Sequence, residues 1–186
     1  MSTNTRPDIA VATSILARHV SSPTVVHWTG VKRIFRYLDH TKDKKLKLGN
    51  VAEQNVHLIG YADADWSNDT DDLKSNTGYL LKYLGAPITW SCRKQTLVTL
   101  SSTEAEYVAV SDAVKKPLWI RRLLHNFNQD TDEPVVIYED NQSCIKLLQD
   151  VKAHHRTKHI STKYHFVLDL YKKNNITVKY CPNTQY

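Results

Sequence analysis

Residues 60–67, Gly-Tyr-Ala-Asp-Ala-Asp-Trp-Ser, set two acids, Asp63 and Asp65, two positions apart at the end of an apolar run. Alternate residues of a strand share a face, so both acids leave the chain in the same direction. Acid where a strand meets the core calls for partners elsewhere in the chain. Asp140 stands in a matching place, closing the apolar run Val135-Val-Ile-Tyr-Glu-Asp140, whose unbroken hydrophobic character suits a central parallel strand. Glu106 falls in the first turns of a helix that begins near Ser101.

Parallel pairing of the strands ending at Asp63 and Asp140 would set the two carboxylates side by side at carboxyl ends, where open sheets bind ligands. A helix packed across them would aim Glu106 at the same point. Three carboxylates so close raise one another's pKa and need a cation to stay ionised. No His/Cys cluster competes for it, so a hard, oxygen-loving ion, Mg²⁺ or Mn²⁺, is expected. Two such ions roughly 4 Å apart activate a water and stabilise the leaving oxygen of a phosphodiester.

Around this centre the periodicity predicts helices over 8–20 and 23–38. In the second, Ser22 would cap, Pro23 would take the first helical position, and Trp28, Val31, Phe35 and Leu38 form a stripe that leaves Lys32, Arg33 and Arg36 on a basic outer face. A boundary falls near residue 50. Strands are expected at Val56–Ala62, Gly78–Leu84 and Pro87–Cys92, joined as an antiparallel meander. Ser101-Ser-Thr-Glu104 has a capping-box arrangement, Pro117 should break or kink the helix, and the stripe resumes through Trp119, Leu123 and Leu124. A strand at Pro134–Tyr138, helices from Gln142 to Leu148 and from Thr162 to Lys172, and a strand at Ile176–Cys181 complete the expected elements.

Composition narrows the classes. A chain of 186 residues, 41% hydrophobic, can bury one sizeable core, with or without a small appendage. No run is apolar enough to cross a membrane, and Met1–Ala10 lacks a secretory hydrophobic stretch, so no membrane partner is expected. Three scattered cysteines, Cys92, Cys144 and Cys181, read as free thiols of an intracellular protein. The net charge of +6 favours a polyanionic partner. Basic residues crowd the segments 32–47 and 152–163, with acids concentrated between them in 50–75.

Other residues have plainer readings. Asp65 is a turn residue or a weak ligand candidate, and Glu104 is a capping acid. His154, His155 and His159 with Cys144 have poor zinc spacing; their neighbours Arg156 and Lys158 suit a basic segment against nucleic acid. Ser101, Ser102 and Thr103 fit either capping or a phosphate at a helix N-terminus. Asn141 and Gln142 are placed to touch a minor groove and 2′-hydroxyls. Trp66, Trp90 and Trp119 are expected in the core. An integrase-like strand-transfer domain is disfavoured, because Glu106 precedes Asp140.

The run of motifs Gly60-Tyr-Ala-Asp-Ala-Asp-Trp-Ser67, Lys74-Ser-Asn-Thr-Gly-Tyr79, Pro87-Ile-Thr-Trp-Ser-Cys-Arg-Lys-Gln95, Leu100-Ser-Ser-Thr-Glu-Ala-Glu-Tyr107 and Tyr138-Glu-Asp-Asn-Gln-Ser143, then Arg156-Thr-Lys-His-Ile160, resembles the ribonuclease H domain of copia-type LTR-retrotransposon Pol polyproteins. Residues 4–20 and 27–43 resemble the segment that connects it to the reverse transcriptase. The resemblance implies an α/β ribonuclease H-like fold: a mixed five-stranded sheet, three strands antiparallel and the others parallel, flanked by helices, with an N-terminal helical appendage. It implies a connection segment over 1–50 and the ribonuclease H-like domain over 51–186. The implied activity is hydrolysis of the RNA strand of an RNA–DNA hybrid during reverse transcription, by two Mg²⁺ or Mn²⁺ ions, leaving a 3′-hydroxyl and a 5′-phosphate.

By position the catalytic, metal-holding acids fall on Asp63, Glu106 and Asp140; Glu106 rather than Glu104, because the motif sets the acid directly before Tyr107. Ser102, Asn141, Gln142, Arg156 and Lys158 are the expected nucleic-acid contacts, and the rest of the Pol polyprotein is the expected protein partner. The implied location is intracellular, in cytoplasmic virus-like particles or the nucleus. The family continues past the last strand into a helix with a fourth metal-binding Asp, beyond the final Cys181-Pro-Asn-Thr-Gln-Tyr186. The expectation is therefore a chain truncated at both ends, the alternative being a weak or inactive remnant that only binds nucleic acid.

Overall fold

A computed structural model describes residues 2–49, 58–67, 69, 72–129, 133–149 and 160–182. Five strands, β1 (Leu58–Asp65), β2 (Asn76–Tyr83), β3 (Ala86–Lys94), β4 (Val135–Glu139) and β5 (Ile176–Tyr180), form one sheet in the order β3-β2-β1-β4-β5. The first three make the expected meander, closed between β2 and β3 by Leu84 and Gly85. Both have positive φ, 49° and 72°, the twist that a two-residue hairpin turn needs. β4 pairs parallel with β1 and with β5. This is the mixed five-stranded α/β architecture that the sequence predicts.

Alternation in β1 sorts its residues. Leu58, Gly60 and Ala62 are buried, whereas Asp63 and Asp65 are exposed. At Gly60 a Cβ would stand 2.6 Å from Ile137 Cδ1 and 2.9 Å from Leu81 Cδ2, so only glycine lets both side chains close over the strand. The strand runs on past the expected end at Ala62, because β2 continues the ladder opposite it: Asp63 pairs with Gly78 and Asp65 with Asn76.

The core joins the sheet to α3 (Ser102–Ala113), α5 (Gln142–Gln149) and α6 (Ser161–Lys172). The residues Ala105, Ala109 and Ala113 are fully buried, a small-residue ridge that brings α3 close to the sheet. The expected break at Pro117 comes earlier, at Val114; Pro117 is the third residue of α4 (Lys115–Asn126), in the first turn, where a missing N–H costs no helical bond. Trp66 and Trp119 are 48% and 60% exposed, so neither belongs to the core; Trp90 donates its indole N–H to Ser2 O at 2.6 Å.

Two helices precede the sheet, α1 (Ala10–Ala17) and α2 (Val25–His40). The second is capped by Thr24, not Ser22: Thr24 Oγ1 accepts from His27 N, and His27 Nδ1 accepts in return from Thr24 N at 3.1 Å. The face turned to α1 carries Gly30 against Leu16, with Ile34 and Leu38 half-buried. Trp28 and Phe35 lie off that face and are 60% and 66% exposed, so the apolar stripe expected through them is not the packed one. Arg6 and Asp8 tie the start of the chain to Tyr37 and Thr41 of the α2 end. Arg18, just past α1, donates to Asn76 Oδ1 at 2.6 Å and pairs with Asp69 at 3.6 Å, which joins the helical pair to the sheet. The boundary expected near residue 50 lies outside the described residues.

Candidate metal centre

Local chemistry fixes the start of α3. Ser101 caps the helix by accepting from Glu104 N at 3.3 Å, and Glu104 Oε2 accepts from Leu100 N at 2.7 Å. Glu104 is thus spent on the helix start, the role its sequence position predicts. Buried Gln95 then clamps the first turn to the sheet, its amide nitrogen donating to Thr77 Oγ1 at 2.9 Å and to Ala105 O at 3.0 Å. The next residue is Glu106.

That placement brings three predicted residues together. Asp63, Glu106 and Asp140 each offer a carboxylate oxygen, and these oxygens lie within 4.8 Å of one another. Asp63 is exposed, Asp140 half-buried and Glu106 buried at 6% exposure. Asp65 shares the outer face of β1 but stands outside the group. Among the described residues no second group of three such side chains occurs.

The electrostatics are those of unneutralised acids in a confined space. Burial, then the charges of Glu139, Asp63 and Asp140, push Glu106 up to about 9. Asp63, although exposed, is raised by the protein packed around its carboxyl and then by the charge of Asp140. Glu106 Oε2 is buried and, among the described residues, has no hydrogen-bond partner. An all-oxygen donor set with a surplus of negative charge fits a hard divalent cation.

The sequence reading missed Glu139. It is fully buried, and burial followed by the charges of Asp140 and Asp63 pushes it to about 8, against the pull of the Asn141 N–H. Its Oε1 accepts from Asn141 N at 3.0 Å, while Asn141 Oδ1 accepts from Cys144 N at 3.0 Å to cap α5. Glu139 and Asn141 together lock the turn that presents Asp140. The alternation Val135, Ile137, Glu139 places this acid on the inward face, a signal legible in the run but overlooked beside Asp140.

Of the predicted nucleic-acid contacts, Ser102 and Gln142 are exposed first residues of α3 and α5, and Asn141 is half-buried between Asp140 and α5. Arg156 and Lys158 lie outside the described residues, as do His154, His155 and His159; Cys144 is fully buried. At the far end of α3, buried Asp112 gathers Arg93, Lys115 and Lys163 at 2.9, 2.8 and 3.1 Å.

A sheet of this order, with acids at the ends of its central parallel pair and a third on the helix across them, is a ribonuclease H-like fold. The same fold is found in LC11-RNase H1, isolated from compost, with a TM-score of 0.53 at 16% identity over 70% of this chain and 88% of that one. The chain belongs to the Pol polyproteins of copia-type retrotransposons. It is 39% identical over 174 residues to the retrovirus-related Pol polyprotein from transposon TNT 1-94 of Nicotiana tabacum, which covers 94% of this chain and 13% of that protein. It is 43% identical over 166 residues to the polyprotein from transposon RE2 of Arabidopsis thaliana, covering 88% of this chain and 11% of the relative. The chain therefore spans only a small part of these relatives' length. No protein-family model matches it.

Proposed function

We propose that this chain is the ribonuclease H segment of a retrotransposon Pol polyprotein and cuts the RNA strand of an RNA–DNA hybrid during reverse transcription. The observation that carries the reading is the convergence of Asp63, Glu106 and Asp140 oxygens within 4.8 Å at the carboxyl ends of two parallel strands. These three residues would hold a pair of divalent cations, Mg²⁺ or Mn²⁺. When bound, such cations supply an activated water and stabilise the leaving oxygen of a phosphodiester. In the overall hydrolysis, water oxygen bonds to phosphorus, the P–O3′ bond breaks, and a proton ends on the departing O3′.

The chain's own groups do the arranging. Asp63, at the exposed edge of the cluster, faces incoming phosphate, and Glu106 anchors the buried side. Glu139 and the Asn141 backbone hold Asp140 in place. Asn141 uses its Oδ1 in the α5 cap, and among the described residues its side-chain NH₂ has no recorded partner; with exposed Ser102 and Gln142 it is positioned to meet 2′-hydroxyls and phosphates of the hybrid. The helical pair over 1–50 serves, in this reading, as the connection to the polymerase portion of a longer polyprotein.

A labelled RNA–DNA hybrid incubated with Mg²⁺ or Mn²⁺ tests this directly. Wild-type chain should cut the RNA strand and Asp140→Asn should not. Equal cutting by both would assign the activity to a contaminant, and binding without cutting by both would leave a nucleic-acid-binding remnant.

A further inference from the structure

The outer face of α2 has a composition that neither the core nor the metal centre uses. Val25, Trp28 and Phe35 are 82%, 60% and 66% exposed. Trp28 and Phe35 stand seven residues apart, two helical turns, so both rings lie on one line about 10 Å apart along the axis. Lys32 falls between them, one turn from each, and Arg36 follows Phe35; both cations are exposed. Arg36 lies one turn beyond Lys32, so the two cations run along one side of the two rings. Among the described residues no carboxylate pairs with Lys32, Arg33 or Arg36.

The surroundings are strongly basic. Between His27 and Gly49 there are seven Lys and Arg against two Asp, which concentrates most of the chain's net charge of +6 in one short segment. The helix is also held rigid from behind. Gly30 abuts Leu16 of α1. Tyr37 OH donates to Asp8 Oδ2 at 2.8 Å, and Arg6 bridges Asp8 and Thr41. A rigid row of exposed rings flanked by unpaired cations matches the stacking platforms on which unpaired bases rest while phosphates meet Lys and Arg. An apolar protein partner would not explain the cations, and a duplex, whose bases are already stacked, would not use the rings.

We propose that the exposed Trp28–Lys32–Phe35–Arg36 face of α2 is a binding site for single-stranded nucleic acid, separate from the metal centre. Two bases stack on Trp28 and Phe35, and the intervening phosphates lie against Lys32 and Arg36. This goes beyond the nuclease reading and stands without it.

The test is fluorescence anisotropy of a labelled single-stranded oligonucleotide of about 12 nucleotides, in EDTA so that the metal centre is silent. Three proteins are compared: wild type, the double variant Trp28→Ala/Phe35→Ala, and the double variant Lys32→Gln/Arg36→Gln. All four side chains are exposed, and circular dichroism checks that each variant folds. The aromatic variant should bind at least about thirtyfold more weakly with an unchanged salt slope. The cation variant should weaken similarly while its log–log salt slope falls by about 1.4, the loss of two phosphate contacts. Trp28 fluorescence should be quenched on binding. A folded aromatic variant that binds the single strand as wild type does overturns the site; so does an equal loss on single strand and matched duplex, which would mean that no base stacks on the rings.

Discussion

Asp63 and Asp140 each stand two residues beyond a tyrosine, and those tyrosines, Tyr61 and Tyr138, pair directly across β1 and β4 and stack with ring centroids 5.3 Å apart. The parallel register therefore sets the spacing of the two acids before any contact between them is considered. A one-residue slip of β4 would turn Asp140 to the other face and dissolve the cluster. Glu106 then closes the group from α3.

Removing one charge from this group should trade activity for stability. Glu106→Gln keeps the shape of a side chain that is 6% exposed and deletes a buried acid whose pKa is pushed to about 9. In EDTA at pH 7 the variant is expected to be more stable by roughly 1–3 kcal/mol, read by urea denaturation, and to lose at least about a hundredfold in hybrid cleavage with Mg²⁺. A variant that is less stable in EDTA would show that Glu106 is held by partners rather than crowded by like charges.

The same crowding makes metal-free stability depend on pH. Folding raises Glu106 from an ordinary 4.5 to about 9 and Glu139 from 4.5 to about 8. For groups raised on folding, the favourable contribution is whole below 4.5 and is lost as pH climbs through the folded values. Tm in EDTA should accordingly fall between about pH 5 and pH 9. Mg²⁺ requires the ionised carboxylates, so the Tm rise that it brings should be larger at high pH than at low. Differential scanning fluorimetry across that range checks both trends.

Glu139 is a positioning residue in this account, acting on Asp140 through the Asn141 backbone. Glu139→Leu should lower kcat for hybrid cleavage about 10–100-fold with KM little changed. Glu139→Gln, which retains the acceptor for Asn141 N, should recover most of that loss. Equal damage in both variants would point to the charge of Glu139 instead of its hydrogen bond.

Asp112 anchors a separate part of the fold. Burial works to raise its pKa, but Lys115, Lys163 and Arg93 outweigh it and the carboxyl titrates below its ordinary 3.8. For a group lowered on folding, the stabilisation is present above 3.8 and disappears as pH falls through the folded value. Asp112→Ala strands three cations around the vacated site and should lose roughly 2–4 kcal/mol at pH 7. Its urea midpoint should also respond less than that of wild type to acidification below about pH 4. Nuclease activity at permissive temperature should persist.

Much of this could be read from local pattern. The unbroken Val135–Glu139 run, the alternation before Asp63 and the Ser101 cap fixed which elements exist and where the three acids end. What escaped depends on neighbours remote in the chain. Glu139 reads as a strand-end acid beside Asp140, although alternation with Val135 and Ile137 sets it inward; contacts of α3 and α5 with β4 complete the enclosure that leaves it fully buried. Residue type points Trp66 and Trp119 to the core and periodicity puts Trp28 on an apolar stripe, yet the three are 48%, 60% and 60% exposed. The α2 cap moved from Ser22 to Thr24 because His27 answers the Thr24 backbone, an uncommon partner for a capping box.

Titration of Mn²⁺ into the chain, followed by calorimetry, tests the convergence of Asp63, Glu106 and Asp140 most directly. Saturable binding is expected in wild type, at least about tenfold weaker in Glu106→Gln and absent when all three acids are replaced by their amides. Unchanged affinity in the triple variant, or no saturable binding in wild type, would contradict a metal centre at this place.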